Sequence, residues 1–221
     1  MKLIFHAIGK FLMGLVLVGA LLFLPAGSFA YANGWLFMGL LFIPMLILGT
    51  VLAIKAPDLL EKRLVAKEKE NTQKGVVAVS GMLFIAGFAV AGLDFRLGWS
   101  HVPLWAVITA SVILLTAYAL YAEVMRENAY LSRTVEVCEG QTVVDHGLYG
   151  VVRHPMYAVT LWLFLAIPIV LGSWWSLLCF LPYIAVIAVR IYNEEKVLEK
   201  ELEGYKEYQK RVKYRIIPFI W

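Results

Sequence analysis

Gln141–Tyr157 reads QTVVDHGLYGVVRHPMY, and a shorter partner, Arg190–Glu195, reads RIYNEE. Each abuts a long apolar run, so ionisable groups cluster where hydrocarbon would begin. Charge at such a boundary costs several kcal/mol unless it is paired or used. Pro155 suits the first turn of a helix, where its missing N–H satisfies no intrahelical bond anyway. Arg153 and His154 then crowd that helix's N-terminus, a poor place for cations unless an anionic or electron-rich partner meets them. Arg190 and Glu194 are spaced i, i+4 and share one helix face. The pattern reads either as an interfacial cluster of snorkelling side chains or as a site closed by two hairpin-linked helices.

Composition sets the surroundings of this stretch. The chain has 221 residues, of which 61% are hydrophobic and 16% charged, well under the roughly 25% charged of soluble domains. Mean hydropathy is +0.75, and several apolar runs approach or exceed the roughly 18 residues that span a bilayer as helix. The expected fold is all-α: a polytopic transmembrane helical bundle of about six spans, with a C-terminal helical hairpin and a cytoplasmic amphipathic C-terminal helix. No linker-like composition divides it. Residues 1–128 and 129–221 are read as two parts of one integrated domain. Cys138 and Cys179 lie in a polar connector and an apolar run, a placement that predicts neither a disulfide nor a metal site.

Residues 1–30 have the outline of a secretory signal, with Lys2 and Lys10, an apolar core and small residues at cleavage-like spacing. We read Phe5–Leu24 instead as a first transmembrane helix, stopped by Pro25 and Gly27, and Gly34–Ile54 as the second, with Pro57 at its exit. Lys55–Lys74 is dense in charge of both signs. Leu59, Leu60, Leu64 and Val65 there are spaced as the apolar face of a surface helix, although a solvated loop fits as well. Gly75–Leu93 is the third span, its Gly and Ala allowing close helix approach. Asp94 and Arg96 cap and anchor in a short turn, and Val102–Tyr121 is the fourth span. In the connector the alternation Thr134–Val137 suggests extended structure, and Gly140 and Gly147 mark turns. Tyr157–Leu171 and Ser176–Val189 are each about 15 residues, roughly 22 Å as helix, short of the roughly 30 Å hydrocarbon core. Flanking residues must extend these spans, or the hairpin tilts with Trp174 and Trp175 at the far interface. Pro168 and Pro182 are candidate kinks.

With six crossings, all of the 20 Lys and Arg except Arg96 fall on one side. The positive-inside rule then places both termini and the site in the cytoplasm of a multi-pass integral membrane protein, in the inner or plasma membrane if prokaryotic.

The C-terminal motifs, taken in order, resemble the isoprenylcysteine carboxyl methyltransferase family and its prokaryotic phospholipid-methyltransferase-like relatives. They stand here as Gly147-Leu148-Tyr149, Arg153-His154-Pro155-Met156-Tyr157, Arg190, Glu194-Glu195, Tyr205 and Tyr208, then Arg215 with Pro218. Leu148 replaces the usual Pro of the turn, and the first four spans carry no motif. The resemblance implies S-adenosylmethionine as cofactor and a lipophilic acceptor entering from the bilayer, with membrane lipids as surroundings and neither nucleic acid nor metal as partner. It implies cofactor contacts from Gln141, Thr142, Val143, Val144, Tyr149, His154, Pro155, Met156, Tyr157 and Glu194. Arg190 becomes the substrate-side and catalytic residue.

The chemistry of these side chains is consistent with that list. Methyl transfer is an in-line displacement governed by alignment and exclusion of water. A carboxylate acceptor needs a cation to hold it, which Arg190 supplies by a bidentate contact. A sulfonium favours aromatic faces such as Tyr149 or Tyr157. An amine acceptor would need a base, for which Glu195 or His154 is the candidate. Duller roles stand beside these: Glu194 and Glu195 as the start of an amphipathic helix, Tyr205 and Tyr208 as packing or interface residues, and Arg211, Lys213 and Arg215 as lipid-headgroup contacts. The closing KYRIIPFIW is also similar to the ends of membrane sterol reductases, which use a nicotinamide cofactor. That leaves a reductase, a phospholipid amine N-methyltransferase and a non-catalytic accessory protein as alternatives to a carboxyl methyltransferase.

Overall fold

The computed structural model describes residues 2–64, 71–131 and 137–221. The extended alternation expected at Thr134–Val137 falls, but for Val137, outside these, as do residues 65–70 of the expected surface helix, whose last four residues instead begin a membrane helix at Asn71. Among the described residues there is no strand. The helices are α1 (Lys2–Ala26), α2 (Ala32–Lys55), α3 (Pro57–Leu64), α4 (Asn71–Leu97), α5 (Leu104–Glu127), α6 (Pro155–Val170), α7 (Trp174–Phe180), α8 (Tyr183–Glu201) and α9 (Tyr205–Arg211). A 3₁₀ turn over Gly147–Gly150 precedes α6. The all-α, polytopic architecture read from the sequence is the one observed.

Among the described residues five helical units are long and apolar enough to cross a membrane: Leu3–Ala26, Ala32–Lys55, Gln73–Leu97, Leu104–Glu127 and Trp174–Glu201. The sixth apolar element, α6, has 16 residues. The two short runs of the hairpin are resolved unequally. The second is extended by its polar flank, because the helix interrupted at Leu181-Pro182 resumes at Tyr183 and continues to Glu201. Arg190, Glu194 and Glu195 therefore sit on a membrane helix and not on a separate tail.

Helix ends correct several expected boundaries. Pro25 lies inside α1, whose last turn closes at Gly27 in the left-handed region (φ 64°), with the Gly27 N–H donating to the Phe23 carbonyl at 3.0 Å. A residue with a Cβ is disfavoured there, which is why the chain turns at Gly27 and not at the proline. Asp94 and Arg96 belong to α4 and not to the following turn, and Gly98 (φ 64°) makes that turn.

Two polar anchors fix the end remote from the connector. Asp94, 2% exposed, accepts from the Ser100 backbone N–H at 2.8 Å, the Ser100 hydroxyl at 2.5 Å and the Ser173 hydroxyl at 2.5 Å. Ser176 Oγ donates to the Gly87 carbonyl at 2.8 Å, and Tyr31 Oη to the Leu171 carbonyl at 2.5 Å. The α6–α7 turn is thereby tied to α4 and to the α1–α2 turn, each buried polar group finding a partner as a water-free interior requires. Gly92 lets α1 and α4 touch backbone to backbone: a Cβ there would lie 2.4 Å from the Leu22 carbonyl oxygen. Nearer the other end Ile4 and Ile8 of α1 and Val77 of α4 remain exposed and line a cavity.

Candidate functional site

That cavity, of about 1360 Å³, lies among α1, α2, α4, α6 and α8 and reaches the connector and α9. It exceeds the roughly 300–1,000 Å³ of ordinary small-molecule pockets, which leaves room for two ligands side by side. Its α1, α2 and α4 walls are mainly apolar, with Lys10, Thr50 and Ser80 among them. Its polar end is built largely from Gln141–Val144, Tyr149, Arg153 to Tyr157, Arg190 and Glu194.

The N-terminus of α6 is held by the C-terminal tail. The Arg153 and His154 backbone N–H groups donate to the Tyr214 and Arg215 carbonyls at 2.9 and 2.8 Å. These are donors that a helix start cannot satisfy internally. Arg153 Nε donates to Glu195 Oε1 at 2.8 Å, while its Nη1 donates to the Val212 and Lys213 carbonyls at 2.8 and 2.9 Å. Arg215 grips the other oxygen of Glu195 through Nε at 2.9 Å and Nη2 at 2.8 Å. His154 Nε2 lies 3.3 Å from Glu195 Oε1. Glu195 is 3% exposed, and it is not among the residues lining the cavity. Both its oxygens are committed to guanidinium groups, so the arrangement does not suit the proton-accepting, catalytic role expected of it. Its work is to join α8, the start of α6 and the tail.

One turn of α8 away, the side chains that do line the cavity form a chain. Arg190 Nε donates to the Tyr157 hydroxyl at 2.9 Å, and that hydroxyl donates to Glu194 Oε2. Arg190 Nη1 also donates to Gln73 Oε1 of α4 at 3.2 Å. His154 Nδ1 stands 3.8 Å from Glu194 Oε1. The i, i+4 pair of the sequence thus shares a face as expected, but Tyr157 sits between the two charges.

The connector is shaped by Glu127. Gly147 is left-handed (φ 56°), and a Cβ on it would fall 1.8 Å from Glu127 Oε1. The absence of that Cβ lets the carboxylate accept from the Leu148 N–H at 2.9 Å and cap the 3₁₀ turn. Tyr149 is then held at both ends: its hydroxyl accepts from Asn128 Nδ2 at 3.0 Å, and its carbonyl accepts from the Tyr208 hydroxyl at 2.7 Å. Burial pushes the Tyr149 and Tyr208 phenols well above their ordinary range, so both stay neutral.

Of the residues expected to form the site, Gln141, Thr142, Val143, Val144, Tyr149, His154, Met156, Tyr157, Arg190 and Glu194 all line this one cavity. Pro155 stands behind the wall as the first residue of α6. Tyr205 and Tyr208, read as packing or interface residues, are buried and face the cavity. Arg63 of α3, which donates to the Tyr121 hydroxyl, was missed, as were Asn128 and Gln73. No motif surrounds them. Gln73 alone gave a signal, a polar residue at the mouth of an apolar span. Among the described residues no group of three or more potential ligands could hold a metal ion.

Comparison with known proteins gives three findings. The phospholipid methyltransferase (PEMT) family profile matches residues 104–204. The solved structure of the eukaryotic intramembrane Ras methyltransferase ICMT (isoprenylcysteine carboxyl methyltransferase) superposes with a TM-score of 0.59 over 97% of this chain and 77% of that one, at 22% identity. The Delta(14)-sterol reductase TM7SF2 of Mus musculus is 34% identical over 99 residues, 40% of this chain. The chain spans only 22% of that curated relative. The family match over residues 104–204 and the shared fold agree with the resemblance drawn from the motifs.

Proposed function

From a fold shared with isoprenylcysteine carboxyl methyltransferase and a phospholipid-methyltransferase segment over residues 104–204, we propose that this protein uses S-adenosylmethionine to methylate a lipophilic acceptor drawn from the bilayer. The observation that carries the reading is the continuity of a polar end, built on Tyr149, His154, Tyr157 and Glu194, with an apolar cavity large enough for a second, lipid-like ligand. The donor set fits the cofactor's chemistry: one carboxylate for ribose or amino donors, aromatic faces for a sulfonium, and a histidine at a helix N-terminus for a carboxylate. When bound, the cofactor supplies an electrophilic methyl group.

The chain's own residues supply position and dryness. Glu194 is oriented by Tyr157, and Tyr157 by Arg190, so binding on one side of this chain is transmitted to the other. Arg190, fixed by Tyr157 and Gln73, is the cation that aligns an acceptor carboxylate with the methyl group. The apolar walls from α1, α2 and α4 exclude water and hold the acceptor's chain. A carboxylate needs no general base. An amine does, and of the two candidate bases Glu195 is committed to Arg153 and Arg215, which leaves His154. This favours the carboxylate acceptor.

Purified protein in lipid nanodiscs should bind labelled S-adenosylmethionine and transfer its methyl group to a prenylated cysteine carboxylate in preference to a phospholipid amine. Binding of NADPH without S-adenosylmethionine would overturn the reading in favour of a reductase.

The same reading puts both termini and the polar end on the cytosolic face. Cysteines at Ala30 and His101, both exposed at the remote end, should label from outside intact cells. Cysteines at Glu139 and Glu203 should label only after permeabilisation. Labelling of all four from one side would exclude this topology.

A further inference from the structure

Tyr205, the first residue of α9, is 4% exposed and lines the cavity. Its hydroxyl is buried and finds no hydrogen-bond partner among the described residues. The other tyrosines of the polar end are all engaged: Tyr208 with the Tyr149 carbonyl, Tyr149 with Asn128, Tyr157 with Glu194 and Arg190. Buried polar atoms in folded proteins are almost always paired, and an orphan is a liability that phenylalanine would remove. The ring alone accounts for packing in the cluster Leu202, Tyr205, Tyr208 and Val212. The hydroxyl therefore needs another reason.

Position supplies it. Gly204, left-handed at φ 81°, brings the start of α9 against the connector, where its Cβ would stand 3.8 Å from Val143 Cγ2. Tyr205 thus borders the Gln141–Val144 strip, at the end of the cavity away from the apolar α1 and α2 walls. Burial, reinforced by the nearby Glu195 and Glu194 carboxylates, keeps its phenol protonated and able both to donate and to accept.

We propose that the Tyr205 hydroxyl is a cofactor contact, completing its hydrogen bonding on a polar atom of the S-adenosyl compound held against Gln141–Val144. This rests on the methyltransferase reading. It also sets Tyr205 apart from Tyr208, which is already committed to holding Tyr149.

Tyr205→Phe provides the test, with S-adenosylhomocysteine as probe. A residue that only packs loses nothing or stability; a ligand contact loses affinity alone. The ligand-free variant should melt at or above the wild-type midpoint, since no bond within the protein is lost. Its affinity for S-adenosylhomocysteine by calorimetry should fall about 10-fold, the size of one hydrogen bond, with KM for the acceptor unchanged. Equal affinity in wild type and variant, or a lowered ligand-free midpoint with an undiminished rise on adding ligand, overturns the contact while leaving the methyltransferase reading in place. Failure of the wild type itself to bind S-adenosylhomocysteine would bring down that reading and the contact with it.

Discussion

Replacing Glu195 with alanine should lower the stability of the protein by about 3–5 kcal/mol, the usual result of removing one member of a buried ion pair. The loss of a favourable contact is the smaller part. The Arg153 side chain is 7% exposed, and without Glu195 its charge keeps, among the described residues, the Val212 and Lys213 carbonyls as partners. Arg215, at 25% exposed, can reach water and contributes less. Glu195→Gln should recover part of the loss, because an amide oxygen still accepts but carries no charge. Thermal unfolding of both variants in one detergent reads this directly. A midpoint unchanged from wild type together with lost turnover would return Glu195 to the reacting groups and refute the structural role.

Glu194→Ala and Arg190→Ala should separate, although the residues are one helical turn apart. Loss of Glu194 removes a charged acceptor from the cofactor end. Affinity for S-adenosylhomocysteine should fall roughly 10- to 100-fold, the range of a hydrogen bond to an ionised group. Loss of Arg190 should leave that affinity within a few-fold yet reduce turnover by about 10²–10³, the size of one preorganised electrostatic contact at a reacting centre. Tyr157 is the complication, since its hydroxyl meets both side chains. Tyr157→Phe measured beside the two variants shows how much of either effect travels through it. Equal loss of binding in Glu194→Ala and Arg190→Ala would mean that the pair acts as one unit and that the division of roles is mistaken.

The polar end was legible in the sequence because its motif residues are local in chain and distinctive in type. Gln141–Val144, Tyr149, His154 to Tyr157, Arg190 and Glu194 are placed together by their motifs alone. What escaped was contact between distant segments. Nothing in a single sequence says that the carbonyls of Val212–Arg215 cap the start of α6, or that Glu195 is spent on two arginines while its neighbour Glu194 is free to face a ligand. Two adjacent glutamates on a helix differ by about 100° of rotation, and only the packing of α8 decides which points inward. The helix ends slipped for a related reason. Proline at position 25 is read as a stop, but a proline in the last turn removes few bonds, and the left-handed Gly27 sets the end. Tyr205 and Tyr208 look like interface aromatics by composition, and their burial depends on the connector folding over them.

The two backbone bonds from Arg153 and His154 to Tyr214 and Arg215 also set an order of events during synthesis. The membrane helices can insert one after another as they leave the ribosome. The polar end cannot close at that stage, because its last wall and the carbonyls that quench Arg153 lie some sixty residues downstream. Until residues 212–215 emerge, the Arg153 guanidinium must remain in headgroup or water contact, and α6 stays shallow at its start. The nascent chain thus passes through a stage with its membrane helices made and the polar end of the cavity still open. The polar end closes in a late docking step, and a pulse-labelled chain stalled before residue 212 should be membrane-integrated yet protease-sensitive around the connector.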